Sequence, residues 1–141
     1  MKKLMIFLAM MMFLVSCDKE TIISSGDLPD EINDYISTHF PSHTILQSIE
    51  DKDAFTKTYD VQLDGNVSLE FNRKKEIIEV ESETELPSSV IPAKISHYVT
   101  ENYPSNVITD WELDDNNQHV ELDNGVELKF TTDGDFLSID D

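Results

Sequence analysis

The sequence predicts an α+β fold: two tandem helix-plus-antiparallel-sheet repeats forming one sheet of up to eight strands, with both helices on one face. Three patterns predict it. First, Val61-Gln62-Leu63-Asp64-Gly65-Asn66-Val67-Ser68-Leu69-Glu70-Phe71 returns as Val120-Glu121-Leu122-Asp123-Asn124-Gly125-Val126-Glu127-Leu128-Lys129-Phe130, with six of eleven positions identical. Second, a helical stripe precedes each copy of this segment. Third, the apolar period drops to two within it. Two copies mark a duplicated half-domain rather than a solenoid.

The chain begins with a leader, residues 1–16. Lys2 and Lys3 precede twelve apolar residues, Leu4 to Val15, and Ser16 supplies a small residue before Cys17. Twelve helical residues rise about 18 Å, too short for a hydrocarbon core of roughly 30 Å. The segment reads as a removable secretory signal. Leu14-Val15-Ser16-Cys17 makes it the lipoprotein type, with Cys17 acylated and cleavage before it. An ordinary secretory signal with a free cysteine and a buried core cysteine are the competing readings. Cys17 is the only cysteine, so no disulfide can form within the chain. Residues 17–27 read as a lipidated tether, of which Asp18 to Gly26 would reach at most about 30 Å.

Residues 28–141 form the expected single domain, with repeat one at 28–82 and repeat two at 88–141. Its 114 residues suffice for one modest core. Leu28, Ile32, Tyr35, Ile36 and Phe40 fall at i, i+4, i+7, i+8 and i+12, the stripe of an amphipathic helix. Ile91, Ile95, Tyr98, Val99 and Tyr103 repeat it. Pro29 and Pro92 suit a first helical turn, and Pro41 and Pro104 end the helices by forcing the preceding residue out of the α region. The offset between copies is 63 at the helices and 59 at the strands, so the first copy carries four extra residues, between Glu50 and Thr58.

In the strands, Tyr59, Val61, Leu63, Val67, Leu69 and Phe71 face inward, and Thr58, Asp60, Gln62, Ser68 and Glu70 outward. In the second copy Val120, Leu122, Val126, Leu128 and Phe130 face inward, and His119, Glu121, Glu127 and Lys129 outward. Asn124-Gly125 predicts a type I′ hairpin turn, with Asp64-Gly65-Asn66 as its counterpart. Further strands are expected at Thr44 to Asp51, Glu76 to Glu81, Asn106 to Asp114 and Phe136 to Asp140. Helices on one face leave the other face of the sheet to solvent or a partner.

This arrangement resembles the PepSY-like, beta-lactamase-inhibitor-like lipoproteins of Gram-negative envelopes. The residues that carry the resemblance are the aromatic-Pro helix ends, Phe40-Pro41 and Tyr103-Pro104. Next come the spaced pairs Ile45 to Ile49 and Val107 to Trp111, the Val-x-Leu-x-x-x-x-x-Leu-x-Phe hairpin, and the closing turn Asp133-Gly134. In the first copy Asn72-Arg73-Lys74-Lys75 replaces that last turn. The resemblance implies a non-catalytic envelope protein. Related modules bind or restrain secreted peptidases, and the beta-lactamase inhibitor protein, of similar plan, grips its target with its open sheet face. The outward face or a sheet edge is therefore the expected binding surface.

The residues themselves point away from catalysis. After cleavage the chain carries 8 basic and 29 acidic residues, a net charge of −21. Such a surface repels nucleic acid and attracts basic proteins or divalent cations; solubility is its simpler meaning. His39 and His43 share helical spacing, but Pro41 breaks the helix that a zinc pair would need. His97 and His119 read as surface positions, and Trp111 and Tyr59 as core aromatics. No Gly-x-Ser-x-Gly, cysteine nucleophile or phosphate-cradling loop occurs. Asp114-Asp115-Asn116-Asn117 and Asp133-Gly134-Asp135 are oxygen-rich turns that make calcium the better metal candidate, though such residues also simply build turns. The expectation is a non-enzymatic lipoprotein of a Gram-negative cell envelope, periplasmic or surface-facing. It is anchored through Cys17, needs no cofactor, and binds an envelope or secreted protein, with inhibition of that protein left open. The alternatives are a calcium-responsive structural protein, then a small-ligand carrier or an enzyme.

Overall fold

The computed structural model describes residues 19–140; the leader, Cys17 and its expected acylation lie outside them. The elements run β1 (Lys19–Ile23), α1 (Asp30–His39), β2 (Ile45–Lys52), β3 (Lys57–Leu63), β4 (Val67–Phe71), β5 (Ile77–Glu81), α2 (Ala93–Asn102), β6 (Ile108–Leu113), β7 (Asn117–Leu122), β8 (Glu127–Thr131) and β9 (Phe136–Asp140). All strands lie in one sheet in chain order, β1 to β9, and each neighbour is antiparallel. The two repeats join edge to edge where Val80 of β5 pairs with Trp111 of β6.

The helices form where the stripe was read. Pro29 and Pro92 sit just outside, as the residues preceding the first helical turn. Phe40 and Tyr103 leave the helix at φ −129° and −132°, as residues before proline must. Their N–H groups still donate to Ile36 and Val99 at 2.7 Å, which closes each last turn. Ile32 and Ile95 are fully buried, and Tyr35 and Tyr98 meet Phe71 and Phe130 edge-on, each pair at 5.4 Å between ring centres. Phe71 and Phe130 belong to the inward face, so both helices cover the same side of the sheet. Beneath them a continuous row, Val61–Leu69–Val80–Trp111–Val120–Leu128, crosses six strands in register. All six side chains are buried in one core.

The structure changes four expectations. The sheet has nine strands, because Lys19–Ile23, assigned to the tether, pairs with β2 from Lys19↔Lys52 to Ile23↔Ser48. Thr21, Ile22 and Ile23 are β-branched, Ile23 packs against the core, and β2 offers an otherwise unpaired edge. Trp111 is not the counterpart of Ile49. Trp111 pairs with Val120 as Ser48 does with Val61, and both copies carry the same bulge, at Ile45/Gln47 and at Ile108/Asp110. Ile49, opposite Asp60, lies on the outer face.

The turns differ as well. A type I′ turn requires positive φ at both central residues. Gly65 and Asn66 have it, at 73° and 59°, whereas at Asn124-Gly125 only the glycine does, at 80°. Conversely, Asn72-Arg73-Lys74-Lys75 keeps the geometry of its glycine-containing counterpart: Lys75 takes φ 64° where Gly134 takes 84°. Their N–H groups donate to Asn72 and Thr131 at 2.8 and 2.9 Å. The four extra residues of the first copy lengthen the β2–β3 hairpin.

Candidate functional site

Alternation sends every second strand residue to the face opposite the helices. The meander then lines these residues up across the sheet. One row reads Ile49, Asp60, Glu70, Glu79, Glu112, His119 and Lys129 on successive strands β2 to β8. The next row reads Gln47, Gln62, Ser68, Glu81, Asp110, Glu121, Glu127 and Asp140 on β2 to β9. The outer face thus carries four adjacent carboxylates in one row and five in the other. Like charges directly opposite one another destabilise a sheet, so this arrangement works against the fold.

The strain appears in the proton affinities. Burial, then the Asp60 charge and a hydrogen bond with Glu79, push the Glu70 carboxyl up to about 7. Burial, then the charges of Glu79, Glu81, Glu112 and Glu121, push Asp110 up to about 7. Asp60 and Glu79 are also raised, chiefly by burial. Glu70 and Glu79 face each other across β4 and β5, and the charge of each raises the cost of ionising the other. Carboxylate oxygens of Glu79, Glu81 and Asp110, where the two rows meet the junction of the repeats, lie within 4.8 Å of one another.

The outer face is shallow. Two hollows of similar size lie on it: one of about 240 Å³ lined by Gln47, Ile49, Gln62, Glu70 and Glu81 among others, and one of about 230 Å³ lined by Glu79, Asp110, Glu112, His119 and Glu121 among others. That shape suits a protein surface better than a small molecule.

The residues singled out from the sequence are elsewhere employed. The Asp114 carboxylate accepts N–H bonds from Asn116 and Asn117, both at 2.7 Å, and these hold it below the usual carboxylate range. Its other oxygen meets His119 at 3.2 Å. Asp135 pairs with Lys94 at 2.9 Å. The two oxygen-rich turns therefore use these carboxylates to build the turns and anchor them. His39 and His43 have separate partners: Ser89 at 2.8 Å, and the Asp64 carbonyl and carboxylate at 2.9 and 3.0 Å. The Ser89–His39 contact is exposed, and among the described residues no carboxylate orients the other ring nitrogen. His97 forms an exposed pair with Glu101 at 3.3 Å. Trp111 and Tyr59 are buried, the Trp111 indole donating to Gln118 at 3.0 Å.

Sequence reading placed Asp60, Glu70, Glu121 and Glu127 outward on the two hairpins, but gave no face to Glu79, Glu81, Asp110, Glu112 or Asp140 and missed the assembly. The missing signal was the pairing of β5 with β6, which brings Glu79 and Glu81 of one repeat against Asp110 and Glu112 of the other.

The sequence profile of the family described as beta-lactamase-inhibitor-like and PepSY-like matches the chain twice, over residues 14–79 and 57–138. The chain belongs to this PepSY-like family. The double match follows the duplication. Three solved structures share the PepSY-like fold of this chain. A periplasmic protein of the DUF2874 family from Bacteroides vulgatus is 32% identical at a TM-score of 0.83, covering 89% of this chain and 100% of the other. A Bacteroides thetaiotaomicron protein, named as a candidate calcium-regulated periplasmic protein, is 30% identical at 0.82, covering 86% and 97%. A second B. vulgatus periplasmic protein, of unknown function, is 31% identical at 0.82, covering 87% and 100%. A search of curated proteins found no match.

Proposed function

We propose that this PepSY-like chain is a non-catalytic, lipid-anchored envelope protein that holds a basic partner protein on the outer face of its sheet. One observation carries the reading: nine carboxylates gathered in two registered rows on a face that no element among the described residues covers. Their repulsion is a standing cost to stability, and a cationic partner relieves it. Rows of lysines and arginines on a flat surface are the complement, and electrostatic attraction of this kind chiefly speeds encounter and fixes orientation. A partner covered in this way has its own site blocked, which is how inhibition would arise.

The periplasmic assignments of the relatives and the leader that precedes Cys17 support the location. Metabolic labelling with a fatty acid should tag the wild type and leave Cys17→Ser unlabelled; equal labelling would remove the anchor from the account. For the partner, envelope extracts passed over the immobilised chain at low salt should yield a basic protein. Glu81→Lys with Glu121→Lys should lose it. Retention undiminished in that variant would place the contact elsewhere.

A second reading rests on Glu79, Glu81 and Asp110, whose clustered carboxylates offer up to six oxygens, within the range that calcium takes. The name of the B. thetaiotaomicron relative points the same way. Isothermal titration separates it: calcium binding gives heat that Asp110→Asn abolishes, and no heat at millimolar calcium ends the reading.

A further inference from the structure

The cations of this chain are as unevenly placed as its acids. Lys2 and Lys3 lie in the leader, which leaves eight lysines and arginines, and six of these converge on one corner of the sheet. Lys19 pairs with Lys52, and Lys52 with Lys57, across β1, β2 and β3. Arg73 in the β4–β5 turn lines the same surface hollow as Lys52, Phe55 and Lys57. Lys74 and Lys75 follow Arg73 in that turn. At the tip of the β2–β3 hairpin, in the extra residues of the first copy, Phe55 is 91% exposed.

Two acids of this corner, Glu50 and Asp53, are engaged locally. Glu50 is bonded by Lys52 and by Lys57, the latter at 2.9 Å. Asp53 accepts the N–H groups of Phe55 and Thr56 at 2.6 Å and so shapes the turn. Glu20 and Asp51 oppose each other across β1 and β2 on the outward face, with one Asp51 oxygen unbonded among the described residues.

The second copy supplies an internal control. At the same end of the sheet its turns are Asp114-Asp115-Asn116 and Thr132-Asp133-Gly134-Asp135. The equivalent backbone is therefore cationic with an exposed aromatic in one repeat and acidic in the other. The fold does not require the basic, aromatic-tipped version.

The position of the corner says what it meets. Cys17 precedes Lys19 by two residues, so at most about 7 Å of extended chain separates them. Because β1 is part of the sheet, the expected nine-residue leash shrinks to little more than Asp18. A lipid on Cys17 therefore holds this corner against the bilayer. Lysines and arginines beside an exposed aromatic are the side chains that adsorb to anionic headgroups, the ring entering the interface.

We propose that the corner formed by Lys19, Lys52, Phe55, Lys57, Arg73 and Lys74 docks on an anionic phospholipid surface. The acidic turns of the second repeat are repelled by the same surface, so the domain stands tilted on this corner. The outer acidic face is then held clear of the headgroups. The inference uses Cys17 only as the point of attachment and does not depend on the partner-binding reading.

The test is a Phe55→Trp full chain on phosphatidylcholine vesicles with and without phosphatidylglycerol, each carrying brominated lipid as quencher. The mass of the purified chain reports acylation separately. If Cys17 proves free, its thiol is coupled to a maleimide lipid and the same measurement is made. The introduced indole should be quenched on phosphatidylglycerol vesicles and little on phosphatidylcholine alone, with the buried Trp111 as constant background. Each cation near such a surface multiplies the docked-to-free ratio by about fivefold, so Lys74→Gln should lower it by that factor. Quenching that is absent on both vesicles, or equal on both, overturns the proposal.

Discussion

Ser48 shows how a duplicated half-domain diverges at a single residue. Its counterpart by register is Trp111, which fills the core and satisfies its indole N–H on Gln118. Ser48 is 1% exposed and its hydroxyl has no partner among the described residues. A buried unpaired hydroxyl costs about 1–3 kcal/mol. Ser48→Ala should therefore raise the unfolding free energy by about 1 kcal/mol in denaturant titration; a loss of stability would mean that the hydroxyl is bonded. Glu70 and Asp110 make a second residue-scale case. Both have folded pKa values near 7, above their unfolded values near 4. Between those limits the folded chain binds more protons than the unfolded chain, so stability falls as pH rises from about 4.5 to about 7 and then levels. Asp53, Asp114 and Asp123 are shifted the other way and titrate below this window. The melting temperature should be higher at pH 5 than at pH 8, and Glu70→Gln with Asp110→Asn should flatten the difference. An unchanged slope in that variant would contradict the repulsion argued for the outer face.

At the scale of elements, both helices, the hairpins and their inward faces were legible because each is specified locally. A stripe of period near four bounded by prolines admits few other readings, and Tyr59 to Phe71 alternates without interruption. What was hidden depends on partners distant in the chain. Lys19–Ile23 is too short and polar to announce a strand, and becomes one only because β2 presents an edge. The counterpart of Trp111 was hidden because Ile49 and Trp111 both stand four residues after an apolar position, and only pairing with Val61 and Val120 tells Ser48 from Ile49. β1 is open to test through its two isoleucines. Ile23 packs against the core, whereas Ile22 is 74% exposed. Ile23→Ala should cost about 1 kcal/mol and Ile22→Ala less than about 0.5 kcal/mol. Two silent substitutions would return the segment to a free leash.

On the scale of the whole molecule, charge is sorted as strictly as hydrophobicity. One face is apolar and sealed by the helices. The other carries two ranks of carboxylates, and the corner where β1 begins at Lys19 carries six of the eight cations outside the leader. Net charge alone, read from composition, gave only a repulsion of nucleic acid and an attraction for basic partners. Four of the nine carboxylates, Asp60, Glu70, Glu121 and Glu127, were legible as outward positions, and the two rows exist only once the strands lie side by side. The account makes the outer face the binding face. A photo-crosslinking residue placed at Glu121, on that face, and at Glu101, on the exposed helix side, tests it directly in growing cells. The account predicts a discrete adduct with a basic envelope protein from position 121 and none from position 101; an adduct from position 101 alone would contradict it.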